Sequence, residues 1–133
     1  MRLIVAALTG IALSACSGGE NLKSADLAVH QFHNQLNGGA FHEIYRGSSP
    51  ALKAVTSEQD MVKLLTAVRS KLGSFKGGKR TSWRVNYGTN AGTIIVFDSA
   101  FDKGKAQETF TFANTKDSPL VGYNINSPTL ITG

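Results

Sequence analysis

Apolar residues recur with helical spacing in the first half of the chain. Within the segment Ser24–Leu36 they occupy positions 25, 29, 32 and 36. This spacing places them on one face of an α-helix, which the fold can then bury. Ser24 is a suitable N-cap, and Gly38 follows the last apolar position. The pattern therefore predicts a helix over 24–36.

Two further helices are predicted before the pattern changes. Phe41–Tyr45 has the composition of a short helix that ends at the turn-forming residues 47–50. Ser57 is a capping residue, and Asp60 stands three positions later in the capping-box position. Apolar residues at 61, 64, 65, 68 and 72 supply a buried stripe, and Gly73 is expected to end this helix.

The period changes from helical to two at about residue 81. Apolar and aromatic residues alternate with polar ones over Thr81–Tyr87, which is typical of a half-buried strand. Three more strands are predicted at 93–102, 106–114 and 120–126, separated by short turns. Strands joined in this way form an antiparallel meander. The sequence therefore predicts an α+β domain with N-terminal helices packed on one face of a four-stranded antiparallel sheet.

The first fifteen residues have the pattern of an export signal. Arg2 supplies a positive charge, and Leu3–Leu13 is almost wholly apolar. That run is about half the roughly twenty residues that a membrane-spanning helix needs. The residues Leu13-Ser14-Ala15-Cys16 that follow resemble the bacterial lipobox. The resemblance implies a signal peptide over 1–15 and a lipid on Cys16.

Cys16 is the only cysteine, so an internal disulfide cannot explain it. We expect the lipidated Cys16 and a short tether over 16–21, followed by a single domain over 22–133. Ser17 replaces the Asp that retains enterobacterial lipoproteins in the inner membrane. By that resemblance, the expected location is the periplasmic face of the outer membrane in the cell envelope. The alternative is an ordinary secretory signal with Cys16 incidental.

Charge indicates a basic surface. The chain has 14 basic and 9 acidic residues, and loss of Arg2 with the signal leaves about +4. No acidic residue lies between Asp60 and Asp98. A basic patch from this stretch could bind anionic lipid headgroups, another anionic envelope component or an acidic protein partner. The alternative is a surface balanced by Glu43, Glu58 or Glu108, and nucleic acid is a poor candidate for an exported protein. The residues of the predicted patch are Arg69, Lys71, Lys76, Lys79, Arg80 and Arg84.

The order of the predicted elements resembles a known superfamily. Its motifs here are Arg69–Gly73, Arg80, Phe97–Phe101, Ala106–Phe112 and Val121–Ile125. Three helices followed by a curved sheet resemble the nuclear-transport-factor-two-like, or cystatin-like, cone fold. Within it, the chain resembles small exported bacterial domains of unknown function, although Asp117–Leu120 replaces their usual Gly-Lys-Trp-like turn. The resemblance implies a cone, export and, by analogy, a homodimer, but no established activity.

Glu108 is the ionisable residue that most favours a functional site. Alternation places it on one strand face with Phe110 and Phe112, and Trp83 and Tyr87 are further candidates to line a cavity. Members of the cone superfamily that isomerise steroids use an acid in such a place as a base, which the resemblance alone supplies. The alternative is a structural ion pair with one of three cations: Arg69, Arg80 or Lys105.

The remaining motifs add no chemistry. His30 and His33 are three positions apart, with Asp26 nearby. Without a Cys or an HExxH motif, they are expected on a solvated helix face and not at a metal. The sequence has no nucleophile elbow, P-loop, dinucleotide fingerprint or calcium loop. No metal or cofactor is expected.

Three functions stay open on this basis. A non-enzymatic binding or interaction domain, held at the membrane by the lipid on Cys16, is favoured because no catalytic constellation is recognisable. The second is a small-ligand carrier or an enzyme that uses a cone cavity around Glu108. The third is a structural envelope lipoprotein.

Overall fold

The computed structural model describes residues 17–89 and 91–132. In this part of the chain, helices pack against a single four-stranded antiparallel sheet, which confirms the predicted α+β class. Cys16 and the signal segment 1–15 lie outside the described residues. The elements are α1 Ser17–Asn37, α2 Phe41–Arg46, α3 Pro50–Val55, α4 Glu58–Leu72, β1 Phe75–Asn86, β2 Gly92–Phe101, β3 Gly104–Phe112, β4 Leu120–Asn126 and α5 Pro128–Thr132.

α1 begins at Ser17 and is longer than predicted. Ser24 therefore lies inside the helix and is not its cap, and residues 17–21, which the sequence analysis assigned to a tether, form its first turns. Leu22 packs against the core and extends the apolar stripe backwards, which rewards continuation of the helix. Among the described residues, no helix is long and apolar enough to cross a membrane.

The segment after α2 forms a short helix, α3, that the sequence analysis did not predict. Pro50 occupies the first turn of α3, where its fixed φ suits a helix. The Ser49 hydroxyl accepts a hydrogen bond from the backbone N–H of Leu52 at 3.2 Å, and Leu52 is buried. The same residues that end α2 thus begin α3. At α4 the predicted ends are confirmed, since Ser57 caps the helix and Gly73 follows it with φ 79°. The predicted stripe is buried except at Leu64, which is 38% exposed.

The sheet has the order β1-β2-β3-β4, with each neighbouring pair antiparallel. Its helix-facing side carries the core residues of the two central strands, among them Ile95, Phe101 and Phe110. β1 begins at Phe75, earlier than predicted, and forms one edge of the sheet. An edge strand has a neighbour on one side only, and Trp83 near its end remains 49% exposed.

α5 is a second element that the sequence analysis missed. It contacts α4 and β3, and the Lys71 side chain donates a hydrogen bond to the carbonyl of Leu130 at 3.2 Å. Leu130 packs against the core. The five residues of α5 are too few to show helical periodicity in the sequence.

The close approach of β1 to β2 at Gly78 predicts that a larger side chain there lowers the stability of the fold. A Cβ on Gly78 would meet the carbonyl oxygen of Asp98 and would lie 2.9 Å from a ring carbon of Phe97. We expect Gly78→Ala to lower the free energy of unfolding by roughly 1–3 kcal/mol through overpacking, measured by chemical denaturation. Gly77→Ala is the matched control, because a Cβ there meets nothing within 4 Å. Equal effects of the two substitutions would contradict this packing.

Candidate functional site

Glu108 on β3 is fully buried and stands at the centre of a polar cluster. Its Oε1 accepts a hydrogen bond from Nε2 of His33 at 2.7 Å and another from the Ser99 hydroxyl. Its Oε2 accepts a hydrogen bond from the Tyr123 hydroxyl at 2.6 Å. An ionised carboxylate only accepts hydrogen bonds, and three donors satisfy this one. These four side chains are called the Glu108 cluster below.

The strand register explains how three of these residues meet. Ser99 on β2 pairs with Ala106, and Tyr123 on β4 pairs with Phe110. Each is therefore a diagonal neighbour of Glu108 on the same sheet face, within reach of a long side chain. His33 comes from α1, which packs on this face. The cluster therefore joins α1 to the three strands β2, β3 and β4.

Aromatic rings pack around the His33 imidazole of the cluster. The His33 ring stacks on Phe75 with 3.6 Å between ring centroids and 4° between planes. Phe110 meets the same imidazole edge-on at 5.7 Å, and Phe32 meets it at 5.8 Å. Hydrogen bonds to a charged group are strong in such surroundings, and an unpaired charge there would be costly.

The cluster also changes the ionisation of its tyrosine. Burial raises the pKa of Tyr123 well above its ordinary value of 10.0, and the neighbouring negative charge of Glu108 and their hydrogen bond raise it further. The phenol therefore stays protonated as a donor over the whole physiological range.

The arrangement of the cluster does not favour nucleophilic catalysis. Ser99 and His33 both donate to the same oxygen of Glu108, and no hydrogen bond joins the serine to the imidazole. Both residues are 3% exposed. A serine nucleophile needs a base in contact with its hydroxyl and access to substrate. The geometry fits a structural polar network better than a reactive centre.

The identities of the Glu108 partners differ from the sequence predictions. The three cations expected to pair with Glu108 lie elsewhere: Arg69 donates to the carbonyl of Asn37 at 3.4 Å, Arg80 pairs with Asp26, and Lys105 is exposed. His33 is buried and not on a solvated face. One signal was available in the sequence, because position 33 lies four after Val29 and three before Leu36, on the apolar stripe.

The aromatic residues expected to line a cavity divide into two groups. Phe110 and Phe112 are buried, stack at 5.9 Å, and fill space in the core beside Glu108. Trp83 and Tyr87 are 49% and 61% exposed and do not share an enclosed cavity with it. Trp83 lies in the exposed run 78–84 of the edge strand β1, and Tyr87 directly follows the end of that strand.

An open cleft reaches the cluster from the surface. It has a volume of about 440 Å³ and lies between α1 and β1, with His33, Phe75 and Phe97 at its apolar side and the Arg80–Asp26 pair beside them. Nδ1 of His33 makes no hydrogen bond with any described residue. His33 is thus the member of the cluster that borders this cleft.

The six residues of the predicted basic patch differ in how they are balanced. Lys76 pairs with Asp102 at 3.3 Å, and Arg80 pairs with Asp26. The balancing acids are therefore not the three glutamates that the sequence suggested. Two other members, Lys79 and Arg84, are exposed and make no ion pair within the described residues. Among those residues, no group of three or more potential ligands could hold a metal ion.

Comparisons with protein-family models, with curated proteins and with solved structures found no match for this chain. The structure therefore shows the architecture of the described residues, helices packed against a four-stranded antiparallel sheet, and assigns the chain to no family. Function must be argued from its own residues.

The buried carboxylate yields the first prediction for this site. We expect Glu108→Gln to destabilise the fold by roughly 3 kcal/mol, because a neutral amide replaces the charged acceptor and turns one of its polar atoms into a donor facing other donors. Chemical denaturation would measure this. Asp117→Asn makes the same chemical change at an exposed position and should leave the midpoint unchanged. A stable Glu108→Gln protein would contradict the structural role.

The raised pKa of Tyr123 yields a pH prediction. Below pH 10 the phenol is protonated in both the folded and the unfolded chain, so it adds no pH dependence. Above pH 10 the unfolded chain loses this proton first, and stability falls by up to about 1.4 kcal/mol per pH unit. We expect Tyr123→Phe to remove this component from denaturation curves recorded between pH 9 and 11, with Tyr87→Phe, at an exposed tyrosine, as control. Identical slopes in all three proteins would contradict it.

Proposed function

We propose that this chain is a lipid-anchored protein of the bacterial cell envelope whose domain is a non-enzymatic binding or interaction module. The proposed lipid anchor and envelope location rest on the lipobox-like residues that end in Cys16. The absence of an enzymatic role is inferred from one observation, the full burial of Glu108 with three donors bonded to it inside the core. The only buried carboxylate among the described residues is thus committed to holding the fold.

Chemistry at Glu108 would need this cluster to come apart. A general base must reach the proton that it abstracts from the substrate. Glu108 is fully buried and already accepts hydrogen bonds on both oxygens. Opening it would leave Tyr123 or His33 without its partner. Binding on the outer surface carries no such cost.

The proposal also covers the membrane location, the superfamily and the oligomeric state. We place the protein at the periplasmic face of the outer membrane, following the resemblance at Ser17, and assign it to the cystatin-like cone superfamily, with which the order of helices and strands agrees. A homodimer through the outer sheet face is part of the same assignment. That face has an open groove of about 650 Å³ beside Gly77 and Ala100.

A small-ligand carrier is the second candidate, and the cleft beside His33 is the observation that favours it. A ligand there would rest on Phe75 and Phe97 and would hydrogen-bond the free Nδ1 of His33. Titration with a fluorescent apolar probe would test this. Binding that is lost when His30→Trp, at an exposed residue that lines the cleft, occupies this space with the fold intact, would support the carrier.

The anchor is tested by palmitate labelling in a Gram-negative host. We expect the wild-type chain to incorporate label and to be recovered with the membrane fraction, and Cys16→Ser to abolish incorporation, because no other thiol is present. Ser14→Ala keeps a small residue before Cys16 and should remain labelled. An unlabelled wild-type chain released in soluble form would overturn the proposed address.

A further inference from the structure

α1 and β1 run antiparallel and are tied together at two places. The Asn37 side chain bonds both backbone groups of Phe75, at 3.1 and 2.8 Å. Eleven helical residues earlier, Asp26 pairs with Arg80, five strand residues after Phe75. Each of these intervals spans roughly 16 Å. The two elements are therefore aligned side by side, with the start of α1 beside the end of β1.

This alignment places Trp83 at the end of the domain where α1 begins. Trp83 lies about 10 Å beyond Arg80 along the strand, which corresponds to about seven helical residues before Asp26. That is the first turn of α1, which starts at Ser17. Tyr87 lies further along the same direction, at the turn after β1. Cys16 is directly joined to this end of the domain.

The side chains exposed at this end have the chemistry of a membrane-interface contact. Trp83 and Tyr87 are 49% and 61% exposed. Tryptophan and tyrosine combine an apolar ring with a polar group and are enriched where hydrocarbon meets headgroups. Two exposed aromatic rings at one end form a candidate contact surface.

The charges at this end complement an anionic lipid surface. Arg84 and Lys23 are exposed and make no ion pair within the described residues. Asp26 is neutralised by Arg80, and Glu20 is the one exposed acid near the start of α1. The described turn after β1, residues 87–89 and 91, contains no acid. The neighbouring turn between β3 and β4 carries one exposed acid, Asp117, next to one exposed lysine, Lys116, and adds no net charge. Positive charge near aromatic residues attracts the headgroups of anionic phospholipids.

We propose that this end of the domain docks on the anionic phospholipid surface, with Trp83 and Tyr87 at the headgroup level and Arg84 paired with phosphate groups. The inference rests on the proposed lipid anchor, since a lipid on Cys16 would hold these residues at high local concentration beside the bilayer. Even a weak contact would then be occupied. Docking fixes the orientation of the domain and leaves the cleft and the outer sheet face free for partners.

Trp83 itself reports on this contact, because it is the only tryptophan in the chain. The experiment uses the lipidated full-length protein in vesicles of phosphatidylethanolamine and phosphatidylglycerol, with bromine on the upper part of the acyl chains as quencher. We expect a blue-shifted Trp83 emission and at least a roughly twofold loss of intensity with brominated lipid. Vesicles of phosphatidylcholine alone should give a smaller loss.

Matched variants separate the contact from the anchor. Arg84→Gln and Tyr87→Ser should each reduce the quenching of Trp83, because they remove the charge and the second aromatic residue of the contact. Lys63→Gln, at an exposed unpaired lysine of α4, and Val55→Ser, at a side chain 83% exposed on α3, should leave it unchanged. All four positions are on the surface, and unchanged circular dichroism would establish that each variant is folded.

The outcomes distinguish this inference from the proposed function. A lipidated protein whose Trp83 is not quenched on either vesicle would overturn the docking but keep the anchor. Equal quenching on anionic and neutral vesicles would overturn the role of Arg84 and anionic headgroups. Failure to incorporate palmitate would overturn the proposed function itself, whatever Trp83 does.

Discussion

The hydrogen bond between His33 and Glu108 fixes the position of α1 on the sheet, and most of the architecture depends on it. It links the first helix to the third strand across 75 positions of sequence. A charged carboxylate can be buried only if enough donors surround it. Ser99 and Tyr123 complete that requirement from the two strands on either side. One side chain therefore sets the mutual positions of one helix and three strands.

The same contact orients α1 relative to the edge strand. The imidazole that bonds Glu108 also stacks on Phe75, and Asn37 holds the backbone of Phe75 one helical turn later. Because Asp26 also pairs with Arg80, α1 is held antiparallel to β1. The start of α1 and the exposed aromatic residues of β1 consequently share one end of the molecule. The buried contacts of His33 with Glu108 and Phe75 thus determine which exposed side chains lie beside the start of α1.

The local pattern of the sequence predicted most of the elements but not how they meet. The four strands, and α4 with its Ser57 cap, follow from periodicity and turn residues. The sequence does not predict α3, because residues 47–50 indicate the end of a helix, whereas a proline in the first turn also begins one. The burial of His33 and the exposure of Trp83 depend on tertiary partners. Spacing along one segment cannot reveal those partners.

A double-mutant cycle on His33 and Glu108 tests the central claim most directly. His33→Leu and Glu108→Leu, singly and together, would be compared by chemical denaturation. If the pair is a structural clasp, each single substitution leaves its partner buried and unsatisfied, and the double substitution costs less than the sum by about 2 kcal/mol or more. Additive effects, with no coupling between the two positions, would contradict the account.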